Sequence, residues 1–205
     1  IGVVRSQLAG TSDALAAVVE TQLAVLRAQG ATLVDIDEVP NSSKYGESEL
    51  TVLLYELKAD MAAYLAEYGP NAPIKTLADV IAFNDRHRAQ EMPFFGQEDL
   101  IAAQARGPLT TPAYLAAREA CLRMTRMEGI DATMDEGKFD ALVMLTRGPA
   151  QLIDPVNGDS SSGGSASLAA VAGYPSITVP AAQVFGLPVG VSFVGRAWSE
   201  AKLLA

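Results

Sequence analysis

The chain has 205 residues, 49% of them hydrophobic and 19% charged, with a formal net charge of −9. This composition is that of a globular chain rather than a disordered one, and a chain of this length buries roughly 70% of the surface its unfolded form exposes. No run of Lys and Arg occurs, which argues against a nucleic-acid partner because phosphate binding needs clustered cations, and no stretch approaches the ~20 apolar residues that span a bilayer.

In chain order, Ile1-Gly2-Val3-Val4 is a short apolar run that predicts a strand. Thr11-Ser12-Asp13 supplies a helix cap, and Leu15, Val18, Val19, Leu23 and Leu26 follow at helical spacing up to Gly30. Ala31 to Ile36 then reads as a second strand. Strand, helix, strand over this span predicts a βαβ unit with two parallel strands. Residues 41–135 are predicted to be a mainly helical insertion. Leu50, Leu53, Leu54, Leu57, Met61, Tyr64 and Leu65 share one helical face. Gly69 to Pro73 breaks that helix, Thr76 caps the next, and Pro93 to Gly96 forms a second break. His87, the single histidine, lies in the polar run Asn84 to Arg88, as at a solvated helix end. Thr111-Pro112 starts a helix expected to run to about Glu128, with Thr as cap and Pro at the first position. Cys121 is the single cysteine, so an internal disulfide is impossible, and its amphipathic surroundings make it a small core hydrophobe. Strands are expected at Asp140–Leu145, Ile177–Val179 and Gly190–Val194, and Ser199 is expected to cap a last helix. The fold class is therefore α/β: a mixed β-sheet flanked by helices, with the helical insertion between its second and third strands.

Asp159-Ser160-Ser161-Ser162-Gly163-Gly164-Ser165-Ala166-Ser167 leads into the apolar helical run Leu168 to Ala172. Such a segment can hold a serine nucleophile, bind an anion, or simply start a helix. A nucleophile needs a base, and nothing in the sequence orients His87 toward one. Ser199-Glu200-Ala201-Lys202 matches S-x-x-K, but the other elements of that pattern are absent. No metal-ligand cluster and no cofactor motif are present.

A further segment is more specific. Gly173-Tyr174-Pro175-Ser176-Ile177-Thr178-Val179-Pro180 is followed by Gly186-Leu187-Pro188-Val189-Gly190 and then Trp198-Ser199-Glu200 with Leu203-Leu204. This ordered string resembles the C-terminal part of the amidase-signature family. Leu77 to Asn84, Gly96-Gln97-Glu98 and Gly129-Ile130-Asp131 resemble its bacterial peptide amidase-like branch, and the likeness covers nearly the whole chain. The resemblance implies an amide hydrolase that uses a lysine and two serines, the lysine as base and one serine bridging to the nucleophile. Ser161 to Ser165 looks like the family's serine–glycine signature, but Gly173-Tyr174-Pro175 follows it, which belongs to the family's C-terminal pattern. Lys75-Thr76-Leu77 does not match the context of the family's lysine. No catalytic residue is carried over.

The chain opens on a strand without Met and stops inside an apolar helical pattern, so a fragment inactive by itself is expected, with the missing N-terminal half of the same protein as a partner. The expected ligand is a small-molecule or peptide amide. Candidate substrate-binding residues are Phe94, Phe95 and Gln97 at the second break, and Ile153, Asp154 and Asn157 in the loop after the strand at 140–145. The alternatives are a protein like the A-type chain of an amidotransferase and a non-catalytic domain that binds a ligand or partner. One cysteine is compatible with cytoplasm or periplasm; the cytoplasm is the favoured expectation, with a periplasmic or secreted location open because the N-terminus is expected to be missing.

Overall fold

The computed structural model describes residues 1–8, 11–158 and 164–205. They form two compact units, one of Ile1–Tyr45 with Leu122–Ala205 and one of Gly46–Cys121.

The first unit is built on a five-stranded sheet. Its strands are β1 (Gly2–Val4), β2 (Val34–Ile36), β3 (Leu142–Arg147), β4 (Ser176–Val184) and β5 (Leu187–Val194), in the order β2-β1-β3-β5-β4. β1 pairs parallel with both β2 and β3, and β5 runs antiparallel to β3 and β4. The mixed sheet expected from the sequence is thus present, and α1 (Asp13–Ala28) provides the crossover between β1 and β2. Ser12 caps α1 by accepting from the Leu15 N–H at 3.3 Å. The parallel strand is shorter than the apolar run suggested, since Ala31, Thr32 and Leu33 lie outside it.

β3 is buried on both faces, which is why its sequence is a continuous apolar run rather than an alternation. Leu142 and Met144 pack with Ile130, Met134, Ala172 and Val194 on one side. Val143 and Leu145 pack with Leu15, Val19, Leu23 and Val191 on the other. The β4–β5 hairpin is longer than the two short strands expected. Its two-residue turn places Phe185 at φ 52° and Gly186 at φ 79°, the twist that suits a tight hairpin. Pro180, which cannot donate to a ladder, sits where the register shifts between Pro180 and Ala182.

In the second unit, α2 (Gly46–Tyr68), α3 (Leu77–Arg86), α4 (Arg88–Glu91), α5 (Glu98–Gln104) and α6 (Pro112–Leu122) follow one another. Leu54, Leu77 and Ala103 form its core. Thr76 and Asp79 make a reciprocal capping box at the start of α3. A separate bond from the Lys75 N–H first, and then those from Thr76, hold the Asp79 carboxyl below its usual range. Cys121 is buried at the end of α6, and burial first, then Glu49, pushes its thiol up.

The helical run begun at Pro112 does not stop near Glu128. It continues as a π-helical stretch, Arg123–Asp131, into α7 (Ala132–Gly137). Gly129 makes this stretch possible: a Cβ there would sit 2.6 Å from the Met124 carbonyl oxygen. Gly129 is thus a point of close backbone approach inside the helical run. The closing helix α9 (Glu200–Leu204) does begin after Ser199, but the Ser199 hydroxyl donates to the Arg196 carbonyl at 2.8 Å instead of capping it.

Candidate functional site

In a sheet with parallel strands, the crevice beyond their carboxyl ends is where side chains from different connections converge. Here β1 has its two parallel neighbours on opposite sides, so that crevice opens past Val4 and Met144. The chain leaves β1 into a short 3₁₀ turn, Ser6–Leu8, and enters α8 (Ala166–Ala172) just beyond β3. A cavity of about 230 Å³ lies there. Its polar lining comes from Ser6, Gln7, Ser42, Tyr45 and Ser167, and its apolar lining from Val4, Val39, Met144 and Leu168.

Three long-range bonds fix this wall. The Gly164 N–H donates to Gln7 Oε1 at 3.1 Å. The Ser165 N–H donates to the Thr146 carbonyl at 3.0 Å, and the Ser165 hydroxyl reaches the same oxygen at 3.4 Å. Ser165 is 4% exposed and its hydroxyl does not cap α8. Ser160, Ser161 and Ser162 of the serine–glycine segment lie outside the described residues. On the same face of the sheet, the hydroxyls of Thr146, Ser192 and Thr178 form a row across β3, β5 and β4, at 2.7 Å and 2.9 Å. Gly190 keeps this row tight, because a Cβ on it would come within 2.9 Å of Thr178 and 3.2 Å of the Thr146 hydroxyl.

At the other end of α8 the backbone turns through Gly173 at φ 64°. Arg126, on the π-helical stretch, donates from Nε to the Ala172 carbonyl at 2.6 Å and stacks over the Tyr174 ring at 5.5 Å. The Tyr174 hydroxyl donates to Asp131 at 2.7 Å. Burial first, and then that hydrogen bond, push the Tyr174 phenol up to about 12. Arg126 and Asp131 therefore both hold the Gly173-Tyr174-Pro175 turn. This clamp was not visible in the sequence, because the five-residue spacing places two side chains together only on a π-helix.

The residues singled out from the sequence fall in both units. Phe94 and Phe95 are exposed in the helical unit. Gln97 beside them is 7% exposed, and its side chain makes three hydrogen bonds within the unit. Its Nε2 donates to the Ile81 carbonyl at 3.2 Å and to Asp85 at 3.0 Å, while its Oε1 accepts from Asn84 at 3.2 Å. Phe95 and Gln97 share a depression of about 380 Å³ with Asn84 and Met92. Ile153, Asp154 and Asn157 lie in the loop after β3 in the sheet unit. Asp154 is the centre of that loop: it accepts from the N–H groups of Val156 at 2.9 Å and Asn157 at 3.0 Å, and from the Asn157 side chain at 2.7 Å. Asn157 first, and then Val156, hold its carboxyl below the usual range. Ile153 is exposed, as are its neighbours Leu152 and Val156. Ser167 closes the serine–glycine segment singled out from the sequence, whereas Ser6, Gln7, Ser42 and Tyr45 were not singled out. The polar pair Ser6-Gln7, one residue after an apolar strand, was the available signal.

Among the described residues, no lysine ammonium is hydrogen-bonded to a serine hydroxyl. Lys44 donates to Asn41, Lys58 to the carbonyls of Gln104 and Arg106, Lys75 to those of Gly69 and Pro70, and Lys202 to Asp140. Lys138 is exposed at the left-handed end of α7. His87 stacks on Phe83, with Nδ1 2.9 Å from the Phe83 carbonyl oxygen. No group of three or more His, Cys, Asp or Glu able to hold a metal occurs among the described residues. No helix among them is long and apolar enough to cross a membrane.

The family profile named Amidase matches residues 1–204. A probable amidase of Arabidopsis thaliana is 32% identical over 185 residues, covering 87% of this chain and 32% of the plant protein. The A-type chain of the glutamyl-tRNA(Gln) amidotransferase of Deinococcus deserti is 27% identical over 220 residues, covering 100% of this chain and 43% of its own length. Among solved structures, the peptide amidase PAM in complex with the competitive inhibitor chymostatin superposes with a TM-score of 0.91 at 44% identity, over 99% of this chain and 41% of that one. The native peptide amidase from Stenotrophomonas maltophilia gives a TM-score of 0.88 at 43% identity, over 99% and 40%. The chain thus spans about two-fifths of the length of these structures. With a family match from end to end and this degree of likeness, the chain belongs to the amidase family, on its peptide amidase-like branch.

Proposed function

We propose that this chain is a portion of a hydrolase acting on carbon–nitrogen bonds of carboxamides, that the Ser-Ser-Lys triad lies outside it, and that residues 1–205 alone do not turn over substrate. The observation that carries the reading is the 44% identity and shared fold with a peptide amidase across 99% of the chain. The lysines support the placement of the triad, since Lys44, Lys58, Lys75 and Lys202 are each held by a carbonyl, an amide or a carboxylate. In the proposed reaction a serine oxygen attacks the amide carbonyl, ammonia or an amine leaves with the proton relayed through lysine and the second serine, and water releases the acyl group as a carboxylic acid. The chain would contribute half of the sheet and part of the substrate wall. Phe94, Phe95 and Gln97 in the helical unit and, taken separately, Ile153, Asp154 and Asn157 in the sheet unit are proposed as contacts for a small-molecule or peptide amide, and the N-terminal half of the same polypeptide is the proposed partner.

The test is ammonia release from a panel of peptide amides, measured on the product of the whole reading frame and on residues 1–205. Release by the former and none by the latter is expected. No release from the whole product removes the hydrolase reading. Release that depends on glutamine and tRNA moves the chain to the amidotransferase alternative. Turnover by residues 1–205 that disappears in Ser165→Ala would place a catalytic serine inside the chain.

A further inference from the structure

We infer that the cavity at the carboxyl ends of β1 and β3 is a subsite for a neutral amide, in which Gln7 donates to the ligand's carbonyl oxygen. This inference rests on the amide-hydrolase reading for the nature of the ligand, and on the geometry of the cavity for its place.

The cavity holds about 230 Å³, enough for a single peptide-like group, and no charged side chain lines it. Its polar groups are hydroxyls and one carboxamide. Gln7 is oriented by its own fold contact: Oε1 is taken by the Gly164 N–H at 3.1 Å, which fixes which end of the amide is which. Both hydrogens on Nε2 are then left to donate, and Nε2 has no bonded partner among the described residues. Ser6 and Ser167 likewise make no side-chain bond to another described residue, and each hydroxyl can accept from an amide N–H or donate to a carbonyl. A donor pair on Nε2 flanked by adaptable hydroxyls complements a carboxamide, which presents one carbonyl and its N–H groups. Val4, Val39, Met144 and Leu168 supply an apolar wall for the carbon attached to it.

The same lining discriminates against a carboxylate. No cation lies in it, while Glu38 stands just behind Ser42, whose hydroxyl donates to Glu38 Oε2 at 3.4 Å. Arg5, the nearest cation in sequence, is turned away into ion pairs with Glu20 and Asp35. An anion entering the cavity would meet a carboxylate behind the wall and no countercharge to replace its lost hydration.

The experiment is a ¹H–¹⁵N titration of residues 1–205 with an N-acetyl amino-acid amide and, separately, with the corresponding free acid. The amide is expected to shift the Gln7 side-chain NH₂ signals together with the backbone signals of Ser6, Ser42 and Ser167, and the acid to bind at least about tenfold more weakly. Gln7→Glu retains an acceptor for the Gly164 N–H but has no donor. Gln7→Met removes both without adding charge. Each should weaken amide binding by roughly threefold to tenfold, the size of one or two lost neutral hydrogen bonds. Equal binding of amide and acid, shifts confined to other surfaces, no shift at millimolar ligand, or undiminished binding in both variants would overturn the inference. Binding is read here without turnover, so the two readings fail separately. Amide binding at Gln7 by a protein whose whole reading frame releases no ammonia sinks only the hydrolase. Ammonia release with Gln7-independent binding sinks only the subsite.

Discussion

Replacing Arg126 by Met tests the clamp on the Gly173-Tyr174-Pro175 turn. The change keeps an apolar stem of similar length but removes two interactions. One is the charge-assisted bond from Nε to the Ala172 carbonyl at 2.6 Å, and the other is the stacking over Tyr174 at 5.5 Å. A hydrogen bond to a charged group contributes about 1.5–3 kcal/mol, and a partly exposed cation–π contact about 0.5–1 kcal/mol. The Ala172 oxygen is at a helix end, where water can partly replace the guanidinium, so the lower half of the combined range applies, about 2–3 kcal/mol. Tyr174→Phe removes only the bond to Asp131 at 2.7 Å, and Asp131 retains Arg196 at 3.7 Å, so about 1–2 kcal/mol is expected. Because both side chains hold the same turn, the double variant should lose less than the sum of the two. Urea unfolding followed by circular dichroism measures all three. A loss below about 0.5 kcal/mol for Arg126→Met, in the range of ordinary surface substitutions, would refute the reasoning.

Three further perturbations probe neighbouring parts of the molecule. Folding holds the Tyr174 proton more tightly, with its phenol raised from 10.0 to about 12, so its contribution is complete below pH 10 and is lost as pH rises through about 12. The melting-temperature gap between wild type and Tyr174→Phe should therefore narrow across that window, and a constant gap would contradict the assignment. Gln97→Leu leaves the partners of three hydrogen bonds unmatched at a residue 7% exposed, and should cost about 2–4 kcal/mol in the stability of the helical unit. If Gln97 also contacts substrate, the whole reading frame's product should show a raised KM in this variant at temperatures where it is fully folded. Gly129→Ala places a Cβ 2.6 Å from a backbone oxygen, and should either cost about 1–3 kcal/mol or force the π-helical stretch to rearrange. Hydrogen exchange over Arg123–Asp131 separates the two.

Legibility in the sequence was uneven for physical reasons. The βαβ unit was readable because an apolar run, a Ser cap and a helical apolar stripe all pointed the same way at Ile1–Ile36. The capping box at Thr76 and the turn around Gly186 are local chemistry, and local chemistry is written in adjacent residues. The π-helical stretch was not, since the close approach of Gly129 to the Met124 carbonyl is set by the backbone geometry and not by residue type alone. The site divided similarly. Asp154 and Asn157 were legible as loop and turn residues, since the bonds of that turn span only two or three positions. Gln97 looked like a ligand for a substrate because it sits at a Pro/Gly break, and only its bonds to Ile81, Asn84 and Asp85 reveal what its amide holds. Gln7 and Gly164, 157 residues apart, could not be linked from sequence at all. The family assignment came from an ordered string of glycines and prolines whose side chains carry no reactive chemistry.

The most direct measurement is ammonia release from peptide amides by the product of the whole reading frame, set beside residues 1–205 at equal concentration. Steady release by the whole product and none by residues 1–205 is the expected result. Equal turnover by residues 1–205, or none from either across a broad amide panel, would contradict the view that this chain is the non-catalytic part of an amide hydrolase.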